Sequence, residues 1–140
     1  MNSTPKWFLP VAILALAWNL IGCAAYLKDV MMSASDIAQM SAAQQALHAA
    51  RPAWSVGATA IAVWAGALGS IGLIMRKRWA TPLLAASLAG VVVQDISLFM
   101  MSGVAAETPT AAMVLQGLVL LIAIGLVRLA RKASAQGWTQ

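Results

Sequence analysis

The chain has 140 residues, of which 61% are hydrophobic and 9% charged, and its mean hydropathy is +0.82. Charge that scarce cannot solvate the surface of a globular domain, which excludes an ordinary soluble protein. Nine Lys and Arg against four Asp and Glu leave a net charge of +5, and the positions of those charges decide whether they speak for nucleic acid or for a membrane.

A hydrocarbon core about 30 Å thick needs about 20 apolar residues per crossing helix. The first run that meets this is Trp7 to Leu27. Within it Ala12, Ala15, Asn19, Gly22 and Tyr26 share one helical stripe, small and polar residues of the kind that let helices approach and bond across a seam. Leu20-Ile21-Gly22-Cys23 also matches a bacterial lipobox, after which a cleaved chain would begin at a lipidated Cys23 with three spans left. Against that reading, the apolar run continues through Ala24, Ala25 and Tyr26 and is interrupted by Asn19. A lone cysteine forms no internal disulfide and says nothing of redox compartment.

Lys28 to Ala53 is the longest connection. Ser33 to Asp36 and Ser41-Ala42-Ala43-Gln44 have capping-box spacing, Pro52 ends the stretch, and Ile37, Met40, Leu47 and Trp54 recur near a helical period. The expectation is a short amphipathic helix along the membrane surface or over the mouth of the bundle.

Three further spans follow, Trp54 to Met75, Ala80 to Met101 and Ala111 to Ala130. Pro52, Thr81-Pro82 and Thr108-Pro109 mark helix starts, the last two as a hydroxyl cap before a proline. Ser55, Thr59, Ala62 and Gly66 share a stripe of the second span, and Gly66, Gly69 and Gly72 read as helix-packing positions, not as a phosphate-cradling loop. With no water in the bilayer core, each span must satisfy its own backbone, which favours helices over the alternating pattern of a barrel. The prediction is an all-α integral membrane four-helix bundle in which residues 1–140 form one transmembrane domain.

Lys6, Arg76, Lys77, Arg78, Arg128, Arg131 and Lys132 fall on one side of that bundle, while Lys28 and Arg51 fall on the other with Asp29, Asp36 and Glu107. The positive-inside rule puts both termini in the cytoplasm and the chain in a bacterial inner membrane. Topology and anionic lipid headgroups account for the basic clusters, and no nucleic-acid partner is expected. Trp7, Tyr26, Trp54 and Trp79 fall where an aromatic belt should.

Asp95 is the only acidic residue in a span, and a charge near a span's centre costs about 2.5–3.5 kcal/mol to insert. At 1.5 Å rise per residue, Asp95, Gln116, Thr59 and Asn19 lie about 7, 7, 8 and 3 Å to the outer side of their spans' middles. Gln94 and Ser97 join them, whereas the inner half offers Ser70 and Ser87. One polar side chain per helix at a similar depth reads either as interhelical glue or as a periplasm-facing site made of Asn19, Thr59, Gln94, Asp95 and Gln116. The functional expectation is a small-solute binding or transport module of unnamed substrate. The alternative is a non-catalytic accessory or structural subunit. Four short helices make a thin wall, so a homo-oligomer or a larger membrane complex is expected.

Met31, Met32, Met40, Met100, Met101, Met113 and His48 gather near the outer side, soft donors of the kind that suit Cu(I). They show no repeated methionine spacing, and methionine also serves as flexible apolar filler, so no metal and no other cofactor is expected. One His, one Cys and one intramembrane Asp supply neither a zinc triad nor a Ser-His-Asp set, and no enzyme is expected.

Trp18-Asn19-Leu20-Ile21-Gly22, Ala50-Arg51-Pro52-Ala53-Trp54, Arg76-Lys77-Arg78-Trp79-Ala80 and the Arg131-Lys132-Ala133 tail ending in Gly137-Trp138 resemble, over nearly the whole chain, a family of small four-span proteobacterial membrane proteins. Members often carry the automatic label "sugar transporter". The resemblance implies a four-span fold and carries over no catalytic or binding residue. Sugar sites usually stack aromatic faces on the ring, and Trp18, Trp64 and Tyr26 are the residues placed for that. Small multidrug exporters differ in pattern, with a glutamate in span one where this chain has Asn19 and with a weak charge bias where this one is strong.

Overall fold

The computed structural model describes residues 4–50, 52–100 and 110–140. These form helices α1 (Phe8–Val30), α2 (Ala34–Ala38), α3 (Ala42–Ala50), α4 (Ala53–Ile74), α5 (Ala80–Met100) and α6 (Thr110–Ala135), with no strand among the described residues. Helices α1, α4, α5 and α6 are each long and apolar enough to cross a membrane. The chain is therefore an all-α, multi-pass integral membrane protein with the architecture of a four-helix bundle.

Two boundaries differ from the hydropathy reading. α6 continues past Ala130 to Ala135, because Arg131 and Lys132 extend the helix out of the hydrocarbon while favouring its negative C-terminal dipole end. α5 begins at Ala80, so Pro82 lies inside its first turn, where no N–H is needed. The Thr81 hydroxyl stands 3.5 Å from the Ser134 hydroxyl of α6, tying two helices together. Thr108-Pro109 lies outside the described residues.

The long connection folds as two helices where one was expected. Asp36 N donates to Ser33 Oγ at 3.2 Å and Ser33 N donates to an Asp36 carboxylate oxygen at 3.0 Å, a complete capping box for α2. These bonds from the Ser33 backbone and hydroxyl hold the Asp36 carboxyl below its usual range. The chain breaks helix at Met40 and Ser41, and Gln45 Nε2 bridges the break by donating to Met40 O at 2.9 Å. The Gln44 half of the second capping box lies outside the described side chains.

In the bundle α1 packs on α4, α4 on α5 and α5 on α6. The α4–α5 seam is the closest. A Cβ built on Gly90 would stand 2.6 Å from the Ala58 carbonyl oxygen and 2.8 Å from Ala62 N, so only glycine lets these two backbones come so near. Phe8, Ala12 and Ala15 of α1, Leu73 of α4, Leu84 of α5 and Leu126 of α6 share one buried cluster. That cluster closes the end of the bundle where the chain's C-terminal tail lies, here the tail end; α2 and α3 lie at the other, the loop end.

The tail is built into this closure. Gly137, at φ 76°, ends α6 in a left-handed turn; Trp138 N donates to Ala133 O at 2.8 Å and Gly137 N to Ser134 O at 3.3 Å, the bond pair of a Schellman motif. α4 ends the same way on Arg76, at φ 59°, with Lys77 N bonded to Gly72 O at 2.8 Å. A left-handed arginine costs roughly 1–2 kcal/mol. Offsetting it, Arg76 Nε donates to Trp138 O at 3.0 Å, and Gln140 N donates to Arg76 O at 2.8 Å while Arg78 N donates to Gln140 O at 2.9 Å. Trp138 sits edge-on to Trp7 and Phe8, at ring separations of 5.7 and 5.8 Å.

Candidate functional site

Beyond Ala15 on α1 and Leu126 on α6 the two helices no longer belong to one core cluster, and a cavity of about 580 Å³ opens between all four spans. That volume suits a single small molecule. Leu84 and Leu126 line its deep end, shared with the tail-end core, and Met40 and His48 of the long connection stand over the loop end. Ala62, Val91 and Ala123 join α4, α5 and α6 along its wall.

Polar groups enter this apolar chamber as a chain across three helices. Thr59 Oγ1 of α4 donates to Gln94 Oε1 of α5 at 2.8 Å, and Gln94 Nε2 donates to Gln116 Oε1 of α6 at 3.0 Å. All three residues line the cavity. Such chains satisfy groups that would each cost several kcal/mol if left unbonded in hydrocarbon. The network ends on the Gln116 amide nitrogen. One helical turn along α5 from Gln94, Ser97 is 1% exposed and lines the cavity, and its hydroxyl has no hydrogen-bond partner among the described residues.

Asn19 lines the cavity too, nearer its deep end, and belongs to a separate group. Its Nδ2 donates to Ala15 O at 2.8 Å and to Ser70 Oγ at 3.3 Å, while Ser70 Oγ donates to Gly66 O at 2.8 Å. A side chain on Gly66 would meet the Asn19 amide, so this glycine makes room for the bond. The Asn19 partner thus lies on the tail-end side, where sequence depth had placed Ser70 apart from it. Ser87 Oγ donates to Ala62 O on the facing helix.

Asp95 stands apart from the other four. It does not line the cavity, and its Oδ1 is buried without a hydrogen-bond partner among the described residues. The structure therefore brings Thr59, Gln94 and Gln116 into one bonded line, places Asn19 below them in the same chamber, and leaves Asp95 outside it. Sequence reasoning grouped Ser97 with these by depth without counting it in the site, and it did not single out Asp29 or His48 as lining residues together with them. For Ser97 the signal was present in its depth beside Gln94.

Among the methionines weighed as soft ligands, Met40 lines the cavity with His48 and Met31 is 76% exposed. The side chains of Met100 and Met113, and Met101 as a whole, lie outside the described residues. Cys23 is buried midway along an unbroken α1, its thiol 3.4 Å from Val63 O. No protein-family model matches the chain, and no curated protein or solved structure is similar to it.

Proposed function

We propose that the protein is a non-catalytic small-solute binding module of a bacterial inner membrane, with its loop end in the periplasm and both termini in the cytoplasm. The single observation that carries the binding reading is the cavity itself, about 580 Å³, lined by side chains of all four spans and crossed by the Thr59, Gln94 and Gln116 line. Bundle helices joined only for stability would fill this volume with side chains, since protein interiors pack to crystal density. Convergent polar groups in an otherwise apolar chamber are what a ligand site needs for orientation. The orientation rests on charge: Lys6, the Arg76 to Arg78 turn, Arg128, Arg131 and Lys132 gather at the tail end, against Lys28 at the other. The four-span resemblance and its transport label agree with this reading, and binding is the step that transport would require first.

Native mass spectrometry of protein released from gentle detergent tests it. Wild type should carry a bound species that Gln94→Leu and Gln116→Leu both reduce; bare protein in every preparation would refute the binding reading. A periplasm-active reporter fused after Gln140 should be silent and one fused near Gln45 active. Reversed signals would overturn the orientation.

A further inference from the structure

The chamber's openings say what kind of molecule it takes. Its deep end is the packed core that includes Leu84 and Leu126, and Met40 and His48 line it toward the loop end. A membrane-spanning segment in the cavity would have to pass through that packed deep end, so the occupant is shorter than the bilayer. The side is different. Ile21 of α1 and Leu115 of α6 line the cavity and yet are 68% and 50% exposed, which puts them at its rim. Ile21 lies about 20 Å along α1 from the tail-end start of the helix and about 14 Å from its loop end, within the hydrocarbon depth. An opening at that depth faces lipid tails, not water.

The lining sets the chemistry. No Lys or Arg is among the described lining residues, and Asp29 is the acidic one, so no lysine or arginine among them compensates an anionic head. Most of the wall is apolar, and the hydrogen-bonding groups concentrate toward the loop end at Gln94, Ser97 and Gln116. Ser97, 1% exposed, lines that same end of the chamber, and its hydroxyl is buried without a partner among the described residues; an orphan hydroxyl of this kind is costly unless something bonds it.

We propose that the cavity takes a neutral single-chain amphiphile, which enters sideways from the bilayer between α1 and α6, lays its apolar tail against Leu84, Ile122 and Leu126, and places an uncharged oxygen-bearing head against Ser97, Gln94 and Gln116. This rests on the cavity being a binding site and adds the ligand's class and its route. The lateral route explains why the rim residues are aliphatic, and the uncharged head explains why no lysine or arginine is among the described lining residues.

A monoacylglycerol carrying a diazirine in its chain, added to the full-length protein in phosphatidylcholine vesicles, tests the proposal. Photolabelling should saturate, map to residues 21–25 and 119–122, and fall at least tenfold with excess unlabelled monoolein while excess glucose leaves it unchanged. Ala25 lines the cavity at its exposed rim, and the neighbouring Ala24 is exposed without lining it. Ala25→Trp should cut saturable labelling at least fivefold and Ala24→Trp should leave it as in wild type. Ser97→Ala, which removes a hydroxyl and adds no bulk, should weaken monoolein competition about fivefold. Unsaturable labelling spread over lipid-facing residues such as Leu14 and Leu68, or equal effects of the two tryptophans, would overturn the proposal. Competition by oleate as strong as by monoolein would overturn the uncharged head. If glucose instead protected a Thr59→Cys variant from a water-borne thiol reagent, the amphiphile would fall and the binding reading would stand.

Discussion

Replacing Gly90 with alanine adds one methyl group at the tightest helix crossing in the protein. The new Cβ would stand 2.6 Å from Ala58 O, 2.8 Å from Ala62 N and 3.2 Å from Ala62 Cα. Ordinary contact begins at about 3.5 Å, so α4 and α5 would have to part by up to about 1 Å. All three obstacles are backbone atoms, and no rotamer change can move them aside. Overpacking of this kind costs about 1–3 kcal/mol, and a backbone clash belongs near the upper end. Alanine returns about 1 kcal/mol through its better helix propensity, leaving a net loss of about 2 kcal/mol. The same movement would stretch the bond from Ser87 Oγ to Ala62 O and shift a wall of the cavity.

Gly117 on α6 supplies the control, since a Cβ there meets nothing within 4 Å among the described residues. Gly117→Ala should be neutral or stabilising by up to about 1 kcal/mol. Unfolding by dodecyl sulfate in mixed micelles, followed by circular dichroism, measures both. If Gly90→Ala lies within about 0.5 kcal/mol of wild type, or loses no more than Gly117→Ala, the close α4–α5 approach is not a source of stability and the reasoning fails.

A double-mutant cycle between Gln94→Leu and Gln116→Leu should return a coupling of about 0.6 kcal/mol, and no more than about 1.7, the range for interhelical membrane hydrogen bonds; zero coupling would mean the 3.0 Å bond adds nothing. Trp138→Ala empties a buried ring site between Trp7 and Phe8 and should cost about 3–5 kcal/mol, with faster proteolysis after Ala135; a wild-type digest would count against the docked tail. The lowered Asp36 pKa means its cap is fully present above the unfolded value of about 3.9 and is lost as pH falls through the lower folded value. Amide exchange in α2 should therefore accelerate only in acid below about pH 4, and Asp36→Asn should remove that pH dependence. Asp95→Leu replaces a carboxyl whose Oδ1 is buried and unbonded among the described residues, and it should raise stability by about 1 kcal/mol or more, given the insertion penalty of a charge in a span; a loss of stability would show that Asp95 has a partner.

Length and composition make α1, α4, α5 and α6 legible within a few residues, because a bilayer sets one length for every crossing helix. Depth along a span is legible for the same reason, and it grouped Thr59, Gln94 and Gln116 correctly as to height. Face is not. Gln94 and Asp95 are neighbours in sequence but about 100° apart around the helix, and only the position of α6 against α5 decides that Gln94 enters the chamber and Asp95 does not. Asn19 lies so near the middle of its span that partners on either side are in reach, and the register of α1 against α4 selects Ser70. Ser70 and Ser97 show the limit most plainly. Each is a serine in an apolar helix, and each is almost wholly buried. Ser70 bonds both Asn19 and the carbonyl of Gly66, whereas the hydroxyl of Ser97, a residue that lines the chamber, is buried and meets no partner among the described residues. Residue type being the same, the difference comes from what the next helix brings opposite each hydroxyl, and that is decided only when the bundle closes.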